Sequence, residues 1–375
     1  MKILLIIDSL EVGGAEVFLE DLTMQLICKH DIEIVTLNSI GIIGKRIIRS
    51  GIKVTNFNFK SSIIPIRQFF FLYKYIKETK PDIVHTWMYF SNFLGGIAAF
   101  LARVKNIIWS IHAFNISKGL LKKRTIFILK ISAYIAYLIP KKIIFCSEKS
   151  LKVHQSNGYP IKKLLIIPNG VDIKKFTFSL DERIATRKEL KIPHESTCIG
   201  MIGRYDPQKN QAGFIEAASL IIKQKPDTYF FIAGRGVDSK NKNLINLITS
   251  KGLEKNFFLL GERSDIHRLL CAMDIFALPS LGEAFPISLC EAMSCGIPCV
   301  ASNVGDVEYI LGNKKLIFKS GDNKELSDII MKIISLNDTD KEILGSELHK
   351  RIKEKFTIQS VSNTYSKIYN KIFTS

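Results

Sequence analysis

Two glutamates, Glu283 and Glu291, separated by seven residues in LPSLGEAFPISLCEAMSCGIPCVASN (278–303), have the types and spacing that say most about chemistry in this chain. Pro279 and Gly282 break what precedes them. Pro286 suits a first helical turn, and Gly296 with Pro298 end a short helix through Ala292 and Met293. Glu283 is therefore expected in the loop facing the helix N-terminus, and Glu291 one to two turns along, its side chain leaning back. A helix N-terminus offers free N–H groups and about half a positive charge, which suits a phosphate. Carboxylates accept paired hydrogen bonds from neighbouring sugar hydroxyls. A ligand carrying both groups, a nucleoside diphospho-sugar, would use every part. Taken alone, the two glutamates read more readily as a solvated helix residue and a turn residue, so the surroundings must decide.

Arg204 and Lys209 follow an apolar run in GRYDPQKN and can bring two cations to the same place, offsetting the repulsion between a diphosphate and the glutamates. Without that context they read as surface ion-pair residues. His112 stands just past another apolar run, where open α/β sheets bind ligands, although a lone histidine there is as readily structural.

The elements that must hold these residues read as two α/β series. The first opens with a strand at 2–7, a Gly13-Gly14 loop, a helix from about Ala15 to Ile27 and a strand at 32–37. Its glycines are not spaced GxGxxG and Thr36-Leu37-Asn38 offers no acid for a ribose, which disfavours a nicotinamide enzyme. Strands follow at about 53–58, 82–86, 107–111 and 142–146, then a turn in LLIIPNGVD (164–172). Residues 173–196 read as a linker, and further strands as 198–204, 228–234, 256–261, 274–280 and 298–302. Two doubly wound sheets joined by one linker would place a cleft between them.

Composition agrees with 375 residues in two domains, 47% hydrophobic. MKILLIID is too short an apolar start for a signal peptide, and no run is long and apolar enough for a membrane span. Seven cysteines without CxxC spacing read as reduced residues of a cytoplasmic protein. The formal charge of +18 is unevenly spread: residues 1–180 hold 26 basic against 11 acidic residues, and the remainder is nearly balanced.

In order along the chain stand GGAE (13–16), DIVHT (82–86), SIHAF (110–114), CSE (146–148), IPNGVD (167–172), GRYDPQKN (203–210), AGRG (233–236), FLLGERSDI (258–266), the double-glutamate stretch and VGDVEYI (304–310). The ordered set resembles glycosyltransferase family 4, of the kind found in bacterial surface polysaccharide biosynthesis. That resemblance implies the α/β GT-B architecture, two Rossmann-like doubly wound domains, with an N-terminal acceptor-side domain over 1–175, a nucleotide-sugar domain over 176–355 and a last helix, 356–375, crossing back to the first. It implies a retaining transfer from a UDP- or GDP-linked sugar to a saccharide acceptor, with no metal and no cofactor. Arg204 and Lys209 match the family's diphosphate-neutralising pair, Glu291 the residue on the donor ribose, and Glu283 the one near the transferred sugar. The amides of Phe285, Ser288 and Leu289 would serve sugar and phosphate. His112 matches the histidine beside the transferred sugar, and Gly14 the loop approaching the phosphates. His112, Glu283, Arg204 and Lys209 form the catalytic set on this reading.

Tyr205 replaces the usual aliphatic residue and Asp306 stands where many members have a second glycine. The DTD at 338–340 imitates a metal motif but reads as a helix cap. A sugar-nucleotide 2-epimerase of the same architecture and a non-catalytic nucleotide-sugar binding protein are the alternatives. The basic first half carries two stretches, 63–77 and 118–142, that mix aromatic or apolar runs with Lys and Arg. Either reads as a core helix with a basic face or as a segment lying on an anionic membrane, which would place the enzyme on the inner face of the cytoplasmic membrane with a lipid-linked acceptor. Nucleic acid is disfavoured, since no recognition motif accompanies the charge.

Overall fold

The computed structural model describes residues 1–59, 66–113 and 123–374, so residue 114 of the SIHAF motif and residues 63–65 and 118–122 of the two basic stretches lie outside it. The chain divides into two units, Met1–Gly170 with Ile358–Ser375, and Val171–Thr357. The sequence reading set these boundaries at 175/176 and 355/356.

The first unit runs β1 (Lys2–Ile7), α1 (Gly14–Leu26), β2 (Asp31–Thr36), α2 (Gly41–Arg49), β3 (Val54–Asn56), α3 (Ile66–Thr79), β4 (Ile83–Trp87), α4 (Tyr89–Leu101), β5 (Ile107–Ile111), α5 (Lys123–Ile135), β6 (Lys142–Phe145), α6 (Glu148–Ser156) and β7 (Leu164–Ile166). Its seven strands are parallel in the order β3-β2-β1-β4-β5-β6-β7. The central strands are continuous apolar runs because helices cover both faces: Ile3 to Ile7 are fully buried. On one face α4 packs between α3 and α5. Close approach there needs Gly96, where a Cβ would stand 2.8 Å from the Trp109 indole nitrogen.

The second unit runs α7 (Leu180–Glu189), β8 (Thr197–Ile202), α8 (Gln211–Ile222), β9 (Thr228–Ala233), α9 (Lys242–Ser250), β10 (Phe257–Leu259), α10 (Ile266–Ala272), β11 (Ile275–Leu278), α11 (Ile287–Ser294), β12 (Cys299–Ser302), α12 (Val307–Leu311), β13 (Ile317–Phe318), α13 (Asn323–Ile334) and α14 (Asp338–Lys355). Six parallel strands take the order β10-β9-β8-β11-β12-β13. The segment read as a linker belongs to this unit. Its α7 packs on α10, and the buried Arg187 donates to Asp274 at 2.7 Å and to the carbonyls of Ala272, His194 and Ser196. The DTD tract forms the first turn of α14; the cap is Asn337, whose side chain accepts from the Asp340 N–H. The acids there sit on the positive end of the helix.

The last helix, α15 (Ile358–Phe373), packs on α1 in the first unit. Its Tyr369 hydroxyl lies 2.7 Å from His85 Nδ1, and Ser366 lies 3.0 Å from His30.

Candidate active site

Both sheets reverse their strand order once, between β1 and β4 in the first unit and between β8 and β11 in the second. At such a point the following loops part to opposite faces and leave a crevice at the strands' carboxyl ends, where open α/β sheets bind ligands.

In the second unit the residues picked out by type and spacing meet at this point. The loop after β8 carries Arg204 and a 3₁₀ turn, Pro207–Lys209, capped by Asp206. Asn210 follows in the left-handed region and caps α8. The loop after β11 is tied to it by the Leu281 N–H to the Gln208 carbonyl (2.7 Å) and the Asn210 amide to the Pro279 carbonyl (3.1 Å). Across this seam Lys209 Nζ donates to Glu283 Oε1 at 2.6 Å, and the Ser280 hydroxyl donates to the same oxygen at 2.7 Å. Arg204 is about half exposed and turns to Asp206 Oδ2, at 3.0 and 3.2 Å.

The helix that follows begins at Ile287, one residue after Pro286, with no side-chain cap. The amides of Ser288 and Leu289 therefore belong to the unsatisfied first turn, with that of Phe285 in the approach to it. Glu291 lies within this helix and is buried, not solvated. The glutamate loop is held from the other side by Gly305 at φ +51°. A Cβ there would come within 2.2 Å of the Glu283 carbonyl, while the Asp306 N–H donates to the Ala284 carbonyl. Asp306, where many family members have glycine, thus supports this loop through its backbone. Tyr205 is exposed and its N–H binds the Arg235 carbonyl, joining the GRYDPQKN and AGRG loops.

The first unit carries Gly14 and His112. Gly14 starts α1, and the Glu16 carboxylate lies over that first turn, since a Cβ on Gly13 would stand 2.3 Å from its Oε2. His112 directly follows β5 and stacks on Trp87, ring centres 4.7 Å apart and planes 9° from parallel. Both imidazole nitrogens are shut off from water and neither has a hydrogen-bond partner among the described residues. Burial pushes its pKa down to about 3, against a smaller opposing influence from the Asn169 side chain. The ring is thus neutral at ordinary pH, able to donate from one nitrogen and accept at the other.

One group at the first sheet's ligand edge escaped the sequence reading. Asp8, directly after β1, accepts the Ser91 N–H at 2.7 Å and the Ser91 hydroxyl, and burial holds its carboxyl up at about 6. Its only signal in the sequence is an acid directly after the apolar run Ile3–Ile7.

Residues 12–175 match the family model described as Glycosyltransferase Family 4, and residues 182–355 the model described as Glycosyl transferases group 1. The chain is 34% identical over 300 residues to the UDP-Gal:alpha-D-GlcNAc-diphosphoundecaprenol alpha-1,3-galactosyltransferase of Escherichia coli, covering 75% of this chain and 76% of that one. It is 26% identical over 337 residues to the N,N'-diacetylbacillosaminyl-diphospho-undecaprenol alpha-1,3-N-acetylgalactosaminyltransferase of Campylobacter jejuni, covering 86% of each. Both relatives are named as transferases, not as epimerases. Anabaena HepE in complex with UDP-glucose superposes with a TM-score of 0.87 at 22% identity, over 99% of this chain and 100% of HepE. That likeness speaks to the fold, which is GT-B. From the first loop through α14 the chain carries that family's architecture and its ordered motifs, and it belongs to glycosyltransferase family 4.

Proposed function

We propose that this enzyme moves a sugar from a nucleoside diphosphate donor, UDP-linked as in the Escherichia coli relative, to a saccharide carried on a lipid diphosphate, in surface polysaccharide assembly. The observation that carries this reading is the meeting of Arg204, Lys209, Glu283, the uncapped start of α11 and Glu291 around one sheet reversal. Cleaving the sugar–diphosphate bond builds negative charge on the leaving phosphate. Two cations and a helix N-terminus stabilise that charge as it forms, so their contribution falls on the transition state. Lys209 and Arg204 are held by Glu283 and Asp206, which keeps them in place; a diphosphate would compete for both.

On this reading Glu291 takes the ribose hydroxyls, Glu283 a hydroxyl of the transferred sugar, and the amides of Phe285, Ser288 and Leu289 the sugar and phosphates. The resemblance assigns His112 to the transferred sugar and Gly14 to the phosphates, and it implies retention on one face with the leaving phosphate helping to deprotonate the acceptor. A neutral His112 suits hydrogen bonding to hydroxyls. No metal is needed on this reading, since the cations supply the charge. A thermal-shift screen with UDP- and GDP-sugars, followed by transfer from the labelled donor that binds, tests it. Transfer in the presence of EDTA is expected; a donor converted to its 2-epimer would sink the reading.

A second observation favours attachment to an anionic membrane. On the face where α3 and α5 flank α4, Ile66, Phe70, Phe127, Tyr134, Tyr137 and Leu138 are exposed. Arg67 and Lys77 lie over the rings of Phe71 and Tyr73. Aromatic and basic groups so mixed suit a headgroup layer. Among the described residues no helix is long and apolar enough to cross a membrane. Sedimentation with phosphatidylglycerol vesicles at low salt, lost on Phe70→Ser with Tyr134→Ser, is the expected result. Equal indifference to anionic and neutral vesicles would end the idea.

A further inference from the structure

The loops directly behind the two sheet reversals differ in charge. In the second unit the loops after β8 and β9 carry Arg204, Lys209, Arg235 and Lys240. In the first unit the described residues of the loops leaving β1 to β7 carry no Lys or Arg, while Lys60, Lys118 and Lys122 stand in the segments after β3 and β5, outside the described residues. At the β1/β4 reversal itself the residues directly after the strands, Asp8, Ser9 and Glu11 behind β1 and Met88 behind β4, are neutral or acidic, which suits the hydroxyls of a saccharide.

Asp8 is the acid at the reversal of that sheet. Both Ser91 bonds fall on Oδ1, and the Phe90 N–H makes a further approach to the carboxyl, so its acceptor capacity is only partly used. No cation compensates it among the described residues, and burial raises its pKa to about 6 in spite of these bonds. Beside it, Met88 holds φ +73° and ψ 171°, a conformation otherwise nearly confined to glycine. Its N–H is fixed to the Ser110 carbonyl and its carbonyl to the Asn92 N–H. A desolvated carboxyl and a strained backbone thus coincide at β1 and β4. His112 and Asn169, whose side chains approach each other, follow β5 and β7 on the same edge.

We propose that Asp8 is a substrate-binding residue whose carboxylate accepts hydrogen bonds from hydroxyls of the acceptor saccharide at the β1/β4 reversal. This rests on the transferase reading above. A buried acid that only closed the first turn of α4 would need no negative charge, since asparagine offers Ser91 the same oxygen.

Asp8→Asn in the full chain separates these roles. With UDP-galactose and GlcNAc-diphosphate on a short polyprenyl chain, the acceptor KM should rise about 10- to 100-fold, as expected for losing a charged hydrogen bond. The donor KM and the slow acceptor-free hydrolysis of UDP-galactose should stay within about twofold of the unaltered enzyme. At pH 7.5 the variant should melt no lower than the unaltered chain. An unchanged acceptor KM overturns the proposal, and so does a raised donor KM, which would put Asp8 on the donor sugar. A Tm several degrees lower would make it a structural cap and overturns it as well. If the unaltered chain transfers nothing with this pair, the pair is wrong for it, and the acceptor KM is read instead with the donor that the thermal-shift screen finds; a lowered Tm overturns the proposal in either case.

Discussion

Lys209 and Glu283, 74 residues apart in sequence, meet at 2.6 Å where the loops of β8 and β11 come together, and the Ser280 hydroxyl holds the same carboxylate oxygen. The pair joins a group suited to phosphate with one suited to sugar. Its two halves should therefore separate on mutation.

Lys209→Ala is expected to raise the donor KM at least about 10-fold and lower kcat/KM about 100- to 1,000-fold, the scale of losing one charge-stabilising group. Glu283→Gln should bind free UDP as tightly as the unaltered enzyme, or more tightly, because Lys209 is released, while sugar transfer falls. Calorimetric titration with UDP beside steady-state kinetics reads both. A parallel loss of UDP binding in Glu283→Gln would refute the division.

His112→Ala should lower kcat by about 100-fold and leave the donor KM within about threefold. With its imidazole held near 3, the unaltered enzyme's kcat/KM should show no His112 inflection between pH 5 and 8. An inflection near 6.5 that vanishes in His112→Ala would show that the ring titrates during catalysis.

Gly305→Ala forces a side chain into the left-handed region and against the Glu283 carbonyl. About 2 to 4 kcal/mol of stability should be lost, or the glutamate loop should move. Either outcome weakens donor binding, and a melting curve taken with and without UDP-sugar tells them apart. Full stability with full affinity would mean that the loop is not held as described.

Acid should unfold the first unit early. His30, His85, His112 and His154 all have burial-lowered pKa values, about 4 for His154. The unfolded rings take up protons near 6.5, so this stability is complete above 6.5 and is lost as pH falls towards the folded values. His154 alone contributes on the order of 3 kcal/mol. Asp8 has the opposite sign: its contribution is present below 3.8 and is lost as pH rises through about 6. Four histidines outweigh it. Both tryptophans of the chain, Trp87 and Trp109, lie in this unit, so their fluorescence reports it alone. Between pH 6.5 and 4 that signal should change before the far-ultraviolet circular dichroism of the whole chain does; simultaneous change would contradict the prediction.

Much of this was legible in the sequence because central parallel strands are solid apolar runs and the site loops carry charge and proline directly behind them. Two of the four edge strands were not: β7 and β13 have three and two residues and are only partly buried, so their pattern is too short to read. The segment around α7 looked like a linker because its anchor is an arginine. Arg187 is buried through bonds to carbonyls and Asp274 that no local pattern announces. Glu283 and Lys209 were expected to converge, but their direct pairing depends on the tie between Leu281 and Gln208. Asp8 was read only as the end of a strand, since its chemistry comes from Ser91, 83 residues on, and from burial.

The last helix gives the molecule an order in time. The second unit is one continuous segment, Val171–Thr357, and can fold as soon as it leaves the ribosome. The first unit, although made earlier, waits for α15 to cover α1 and to bring Tyr369 to His85. A message truncated after Thr357 would leave the first unit without α15 and its α1 uncovered.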